Sequence, residues 1–141
     1  MITFLDLCGH EKYLKTTMFG LVGLMPDYAM IVVGANMGVS RMTKEHLGIT
    51  LALKIPIFIV ITKIDIAPKP VYEETLKTLK KILNGQYANK RAMVMKDKED
   101  TSICAKGISA GLCPIFSISN VTGEGTEQLK TFMSQMKSRI N

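Results

Sequence analysis

Ile57-Phe58-Ile59-Val60-Ile61 followed by Thr62-Lys63-Ile64-Asp65 is the stretch that decides the fold. Five consecutive apolar residues of strand length leave no polar face, so this strand is covered on both sides. Pro56 stands just before the run, which from Ile55 to Ile61 is far too short to cross a bilayer. The polar residues begin abruptly at Thr62, which places them at the strand's carboxyl end.

Outward from this strand the same logic repeats. Tyr28 to Val33 is a second continuous apolar run, ended by Gly34 and Gly38. Thr43 is placed to cap a helix that carries Leu47, Leu51 and Ile55 on one face. Pro68 and Pro70 punctuate the next loop, and Tyr72, Leu76, Leu79 and Leu83 recur at helical spacing. Ile115 to Ile118 reads as a further strand, and Leu129, Phe132, Met133, Met136 and Ile140 as a closing helix. Before all of these, Ile2 to Leu5 is a short β-prone run stopping at Asp6, and Leu14, Met18, Leu21, Val22 and Met25 mark a helix that Pro26 ends. Strands that are apolar on both faces and alternate with amphipathic helices predict a mostly parallel sheet in a three-layer α/β/α arrangement. The pattern fails between Asn84 and Pro114. That span is too long for an ordinary connection, so residues 85–111 are expected to be an insertion, with Ala92-Met-Val-Met95 as a short strand inside it.

Composition excludes several classes. The 141 residues suit one domain with a sizeable core, and 47% hydrophobic against 21% charged is globular rather than disordered. No basic region precedes an apolar stretch at the start, so no secretory signal is expected. Cys8, Cys104 and Cys113 have no metal-ligand spacing and cannot all pair, which suits reduced thiols in a cytoplasmic protein. The net charge of +6 favours polyanions, although Lys77, Lys80 and Lys81 are also what a solvated helix face carries.

In parallel sheets of this type ligands sit beyond the carboxyl ends of the strands. Three polar motifs fall there, at Asp6-Leu-Cys-Gly9-His10, Thr62-Lys63-Ile64-Asp65 and Ser119-Asn120-Val121-Thr122-Gly123. A carboxylate at Asp6 suits Mg²⁺ held through water. Gly9 lets a backbone N–H approach a phosphate oxygen, and His10 can orient a water. Asp65 can accept hydrogen bonds from both N1–H and the exocyclic amine of guanine, a donor pair that adenine lacks on that edge. Lys63 can lay its methylenes along a base, while Ser119 and the amides of its loop can meet the guanine carbonyl. Each motif alone is weak; an Asp-x-x-Gly is often only a turn. Their order at successive strand ends gives them weight.

Together these motifs resemble those of elongation-factor-Tu-like, translation-factor-type GTPase domains. Asp6-Leu-Cys-Gly-His10 is similar to that family's Asp-x-x-Gly-His, Thr43-Lys-Glu-His46-Leu to a helix it carries, and Thr-Lys-Ile-Asp65 to its Asn-Lys-x-Asp. Ser119-Asn-Val-Thr-Gly-Glu resembles its Ser-Ala-Lys-type loop, and the wording of several motifs resembles the subfamily of GTP-binding proteins 1 and 2. The resemblance implies a P-loop NTPase-like fold that binds GTP or GDP with Mg²⁺ and hydrolyses GTP. Asp6 would hold the metal through water, Gly9 would meet the γ-phosphate, and His10 would place the attacking water. Thr62, Lys63, Asp65, Ser119, Asn120 and Val121 would form the base side. His46 matches a family position, but on a helix a structural role is expected of it. Ribosome, RNA or mRNA-turnover machinery are the implied partners, with no membrane.

Thr62, Asn120 and Val121 depart from the family's usual Asn, Ala and Lys. No two glycines stand five positions apart, so Gly-x-x-x-x-Gly-Lys-Ser/Thr does not occur in the chain. Residues 1–141 are therefore expected to be a partial GTPase domain without its first strand, phosphate loop and first helix, and weak or inactive by itself. The competing expectation is a non-hydrolytic module, a degenerate GTPase that binds protein or RNA.

Overall fold

The computed structural model describes residues 2–5, 12, 16, 23, 26–85, 91–95, 107–108 and 111–136. Four strands form one all-parallel sheet: β1 (Ala29–Gly34), β2 (Ile57–Thr62), β3 (Arg91–Val94) and β4 (Leu112–Ser117), in the spatial order β1-β2-β4-β3. Three helices complete the layers: α1 (Arg41–Ala52), α2 (Lys69–Leu83) and α3 (Thr126–Ser134).

β2 is the axis of the fold, and Ile57 through Ile61 are all buried. It pairs with β1 from Ala29↔Ile57 to Gly34↔Thr62, and with β4 from Ile59↔Ile115 to Ile61↔Ser117. Alternate side chains feed two cores. Ile57, Ile59 and Ile61 join Leu47 of α1 and Leu79 and Leu83 of α2 on one face. Phe58 and Val60 join Phe116 of β4 and Phe132 of α3 on the other. The α/β/α layering expected from the apolar runs is thus present.

Several expected boundaries move, each for a local reason. The cap of α1 is Ser40 rather than Thr43: the Thr43 N–H donates to Ser40 Oγ at 3.1 Å. Ile55 is buried but lies beyond the end of α1, after Lys54 turns the chain with φ of 58°. Pro70 stands inside the first turn of α2, where a missing N–H costs nothing. β4 begins three residues before Ile115 and contains Pro114. The alternation set by Ile118 N–H donating to the Ile61 carbonyl turns the nitrogen of Pro114 toward β2, and pairing with β2 starts only at Ile115. A proline fits a strand where no ladder bond is required.

Two expectations fail. Ile2 to Leu5 form no strand; Ile2, Phe4 and Leu5 are exposed, without a neighbouring strand to pair with among the described residues. β1 is not covered on both faces, because Met30 (39%) and Val32 (54%) are exposed on the face that carries Phe58 and Val60. Ala92 to Val94, by contrast, lie in β3, which pairs in parallel with β4 and extends the main sheet. Most of 85–111 lies outside the described residues, as do the hydrophobic positions of the helix expected before Pro26 and Ile140.

α3 is seated by aromatic packing. Phe132 is fully buried, with its ring centroid 5.1 Å from those of both Phe58 and Phe116. Phe132→Ala is expected to lower the unfolding free energy by about 3–5 kcal/mol, measured as a fall in the urea midpoint. An unchanged midpoint would show that these rings do not hold α3.

Candidate functional site

The carboxyl ends of β1, β2 and β4 lie side by side, since those strands are neighbours and parallel. Each continues into a polar loop, so residues far apart in sequence converge along one rim of the sheet.

The loop after β2 carries Thr62, Lys63 and Asp65. Its course is fixed from both sides. The Ala35 N–H donates to the Thr62 carbonyl at 2.9 Å, and the Ile64 N–H donates to the Ile118 carbonyl at 3.4 Å. Between these ties Lys63 adopts φ of 60°, a left-handed backbone that costs a residue with a Cβ about 1–2 kcal/mol. Such strain persists only where surrounding bonds determine it, and it gathers at functional sites. Thr62 does not reach over the rim; its hydroxyl donates back to the Val33 carbonyl at 3.5 Å, the limit of a hydrogen bond. The Asp65 side chain is exposed and has no hydrogen bond or ion pair among the described residues. Its carboxylate is an acceptor without a donor, and it becomes desolvated only when something covers it.

The loop after β4 is organised by Ser119, which is fully buried. Its Oγ accepts from the Val121 N–H at 3.3 Å and the Thr122 N–H at 3.1 Å, while the Ser119 N–H donates to the Glu124 carbonyl at 3.0 Å. Ser119 thus organises its loop through its hydroxyl oxygen, while its own O–H remains a donor. With those two amides turned inward, the Asn120 N–H is left without an acceptor among the described residues. Val121, where the resembled family has Lys, projects into solvent with 84% of its surface exposed. The helix that follows, α3, begins at Thr126. Gly125 holds the cap position at φ of 76°, and the Thr126 hydroxyl donates to the Gly123 carbonyl at 2.7 Å.

A third element was not legible in the sequence. Asn36, in the turn after β1, has its Oδ1 buried and without a partner, lying 3.2 Å from where a Cβ on Gly34 would stand. The Gly34-to-Gly38 spacing marked only a turn. The Nε2 of His46 is likewise buried and unpaired. Asp6, Gly9 and His10 lie outside the described residues. Among the described residues no group of three or more His, Cys, Asp or Glu is gathered to hold a metal.

Gly125 is the tightest point of the site. A Cβ there would collide with the Ser117 carbonyl oxygen, whereas Gly123, at φ of 81°, has open space around it. Gly123→Ala is expected to cost only the left-handed backbone term of about 1–2 kcal/mol, and Gly125→Ala distinctly more, read from paired thermal unfolding curves. Equal shifts would contradict the close approach.

The model of the elongation factor Tu GTP-binding domain matches residues 1–139. GTP-binding protein 1 of Xenopus laevis is 49% identical over 140 residues, covering 99% of this chain and 21% of the relative. GTP-binding protein 2 of Homo sapiens is 43% identical over 143 residues, covering 100% of this chain and 24% of the relative. Among solved structures, translation elongation factor SelB from Methanococcus maripaludis, in complex with the GTP analogue GppNHp, matches with a TM-score of 0.69 and 26% identity. That match covers 96% of this chain and 25% of the other. The chain therefore spans roughly a quarter or less of the length of these relatives. By sequence and by fold, the chain belongs to the elongation factor Tu GTP-binding domain family.

Proposed function

We propose that these residues supply the guanine-recognition side of a domain that, in the intact protein, binds GTP and hydrolyses it. The carrying observation is the unpartnered carboxylate of Asp65 beside the Ser119 loop, with the two loops joined by the Ile64-to-Ile118 hydrogen bond. Asp65 would accept from N1–H and the exocyclic amine of guanine, and the Asn120 N–H would donate to the base carbonyl. The cost of leaving those groups unpaired is what rejects adenine. Lys63 would cover the base with its methylenes. Thr62 and Ser119 act by holding the loops, and Val121 closes the rim.

Asp6 and Gly9 would serve the γ-phosphate end, and His10 would place the attacking water. Phosphoryl transfer is accelerated mainly by positioning and electrostatics, which is work a histidine beside the phosphate suits. Mg²⁺ accepts one carboxylate plus water and phosphate oxygens, so the donor set of Asp6 with the nucleotide fits it without a cluster of protein ligands. When bound, the ion neutralises phosphate charge. The span 85–111 is read as an insertion whose described strand, β3, extends the sheet. Ribosome or RNA contacts and a cytoplasmic location accord with relatives that are named elongation factors.

Calorimetric titration of the intact protein with GTP, ATP and XTP tests the base side. Asp65→Asn is expected to weaken GTP about 10- to 100-fold, the loss of a charge-assisted pair, while admitting XTP. Unchanged GTP preference would remove Asp65 from the site and favour a non-hydrolytic module. In single-turnover assays His10→Ala is expected to slow hydrolysis about 10²–10³-fold with GTP affinity retained. Equal losses in both would contradict its role.

A further inference from the structure

Asn36 is the polar residue of the rim that the guanine site leaves unused. It stands in the turn after β1, and its Oδ1 is buried without a hydrogen-bond partner. The side chain makes no bond among the described residues. Its oxygen is packed against the end of the strand at Gly34, where even a Cβ would stand only 3.2 Å from it. A buried acceptor left in this way carries the full desolvation penalty of its group, and such an atom calls for an explanation.

Its place in the sheet narrows the donor. Gly34 is the register partner of Thr62, and the Ala35 N–H donates to the Thr62 carbonyl at 2.9 Å. Continuing that register by one residue sets Ala35 beside Lys63, across a strand spacing of about 4.8 Å, and Asn36 is next along. Lys63 is the sole cation in loops 35–40, 63–68 and 118–125, which form the rim. It is exposed, and its ammonium has no partner among the described residues. Its own loop has no acceptor to spare for it: the Thr62 hydroxyl faces the Val33 carbonyl, and Asp65 is taken by the base edge. An ammonium that a bound base strips of water on one side needs an acceptor. An unpaired donor and an unpaired acceptor thus stand at the exits of adjacent strands.

We propose that Asn36 is a positioning residue for nucleotide binding: with guanine bound, its Oδ1 accepts a hydrogen bond from the Lys63 ammonium and fixes that side chain over the base. This rests on the guanine site described under the proposed function. Without nucleotide the ammonium stays in water and Oδ1 stays unpaired, so the bond forms only when the base excludes solvent. Asn36 therefore contributes to binding and nothing to folding, a combination that a merely structural asparagine does not show.

Calorimetric titration of the intact protein with GDP tests this, together with thermal unfolding of the nucleotide-free protein. Asn36→Ala is expected to weaken GDP about tenfold, the loss of a hydrogen bond to a charged group, while the nucleotide-free unfolding midpoint is unchanged or raised. Asn36→Asp, which keeps an acceptor for the ammonium, is expected to retain GDP affinity. With Lys63→Met already in place, Asn36→Ala is expected to have no further effect, because the two residues make one interaction. GDP affinity unchanged in Asn36→Ala, an equal loss in the Lys63→Met background, or a loss in Asn36→Asp as large as in Asn36→Ala overturns the proposal. A lowered nucleotide-free midpoint in Asn36→Ala does so too, since it shows a structural role. Asp65→Asn in the same titration separates the two readings. If it leaves GDP binding unchanged, the guanine site fails and this proposal with it; if it weakens GDP while Asn36→Ala does not, only the role of Asn36 fails.

Discussion

Two backbone hydrogen bonds tie the exit of β2 to the exit of β4, and the site depends on them. The Ile118 N–H donates to the Ile61 carbonyl at 2.8 Å, and the Ile64 N–H returns to the Ile118 carbonyl at 3.4 Å. The first is the last rung of the ladder between the strands. The second lies beyond the end of β2, so the pairing carries on into the loops instead of stopping where the strands do. Lys63 is forced into its left-handed backbone between these rungs, and Asp65 and the Ser119 loop are brought to one rim as a result. A buried strand such as β2 must satisfy every backbone group against its neighbours. Its partners are therefore as constrained as it is.

The parts of the fold that were legible in the sequence are those set by burial on both faces. Ile57 to Ile61 could only be a central strand, and the helix of Leu76, Leu79 and Leu83 could only face a core. What escaped was decided by single hydrogen bonds or by register. Ser40 and Thr43 are equally good caps by composition, and only the direction of the chain entering α1 separates them. Pro114 argued against an early start to β4. It is tolerated because its nitrogen meets no rung, which is a property of the strand beside it rather than of the proline. Tyr28 to Val33 reads the same as Ile57 to Ile61, yet β1 is at an edge among the described strands and β2 at the centre. Hydrophobicity reports that a strand can be buried, not how many neighbours it finds.

The candidate site was legible as residue types at strand ends, less so as roles. Asp65 is where the motif places it, with its carboxylate open. Ser119 belongs to the motif as well, and its hydroxyl oxygen also accepts from two amides of its own loop. The Asn120 N–H, by contrast, has no acceptor among the described residues. Asn36 carries no motif at all, and its buried oxygen becomes visible only when β1 and its turn are seen in three dimensions. Chemistry carried by side chains can be read from a sequence. Chemistry carried by backbone amides cannot, because every residue but proline has one.

The outer side of β1 has a further consequence for the behaviour of this chain in solution. Met30, Val32 and Gly34 turn their backbone groups away from β2, and Ala29 to Gly34 contains no charged residue and no proline. Natural sheets blunt their borders with lysines, prolines or bulges, because an unprotected strand is a template for another chain. Ala-Met-Ile-Val-Val-Gly has none of these defences, and its exposed Met30 and Val32 add apolar surface beside the open groups. Among the described residues nothing pairs with the outward backbone groups of Met30 and Val32, so this border is open to a further strand. Self-association of the isolated chain, where it occurs, is expected to start from Met30 and Val32, and whatever shields them is expected to suppress it.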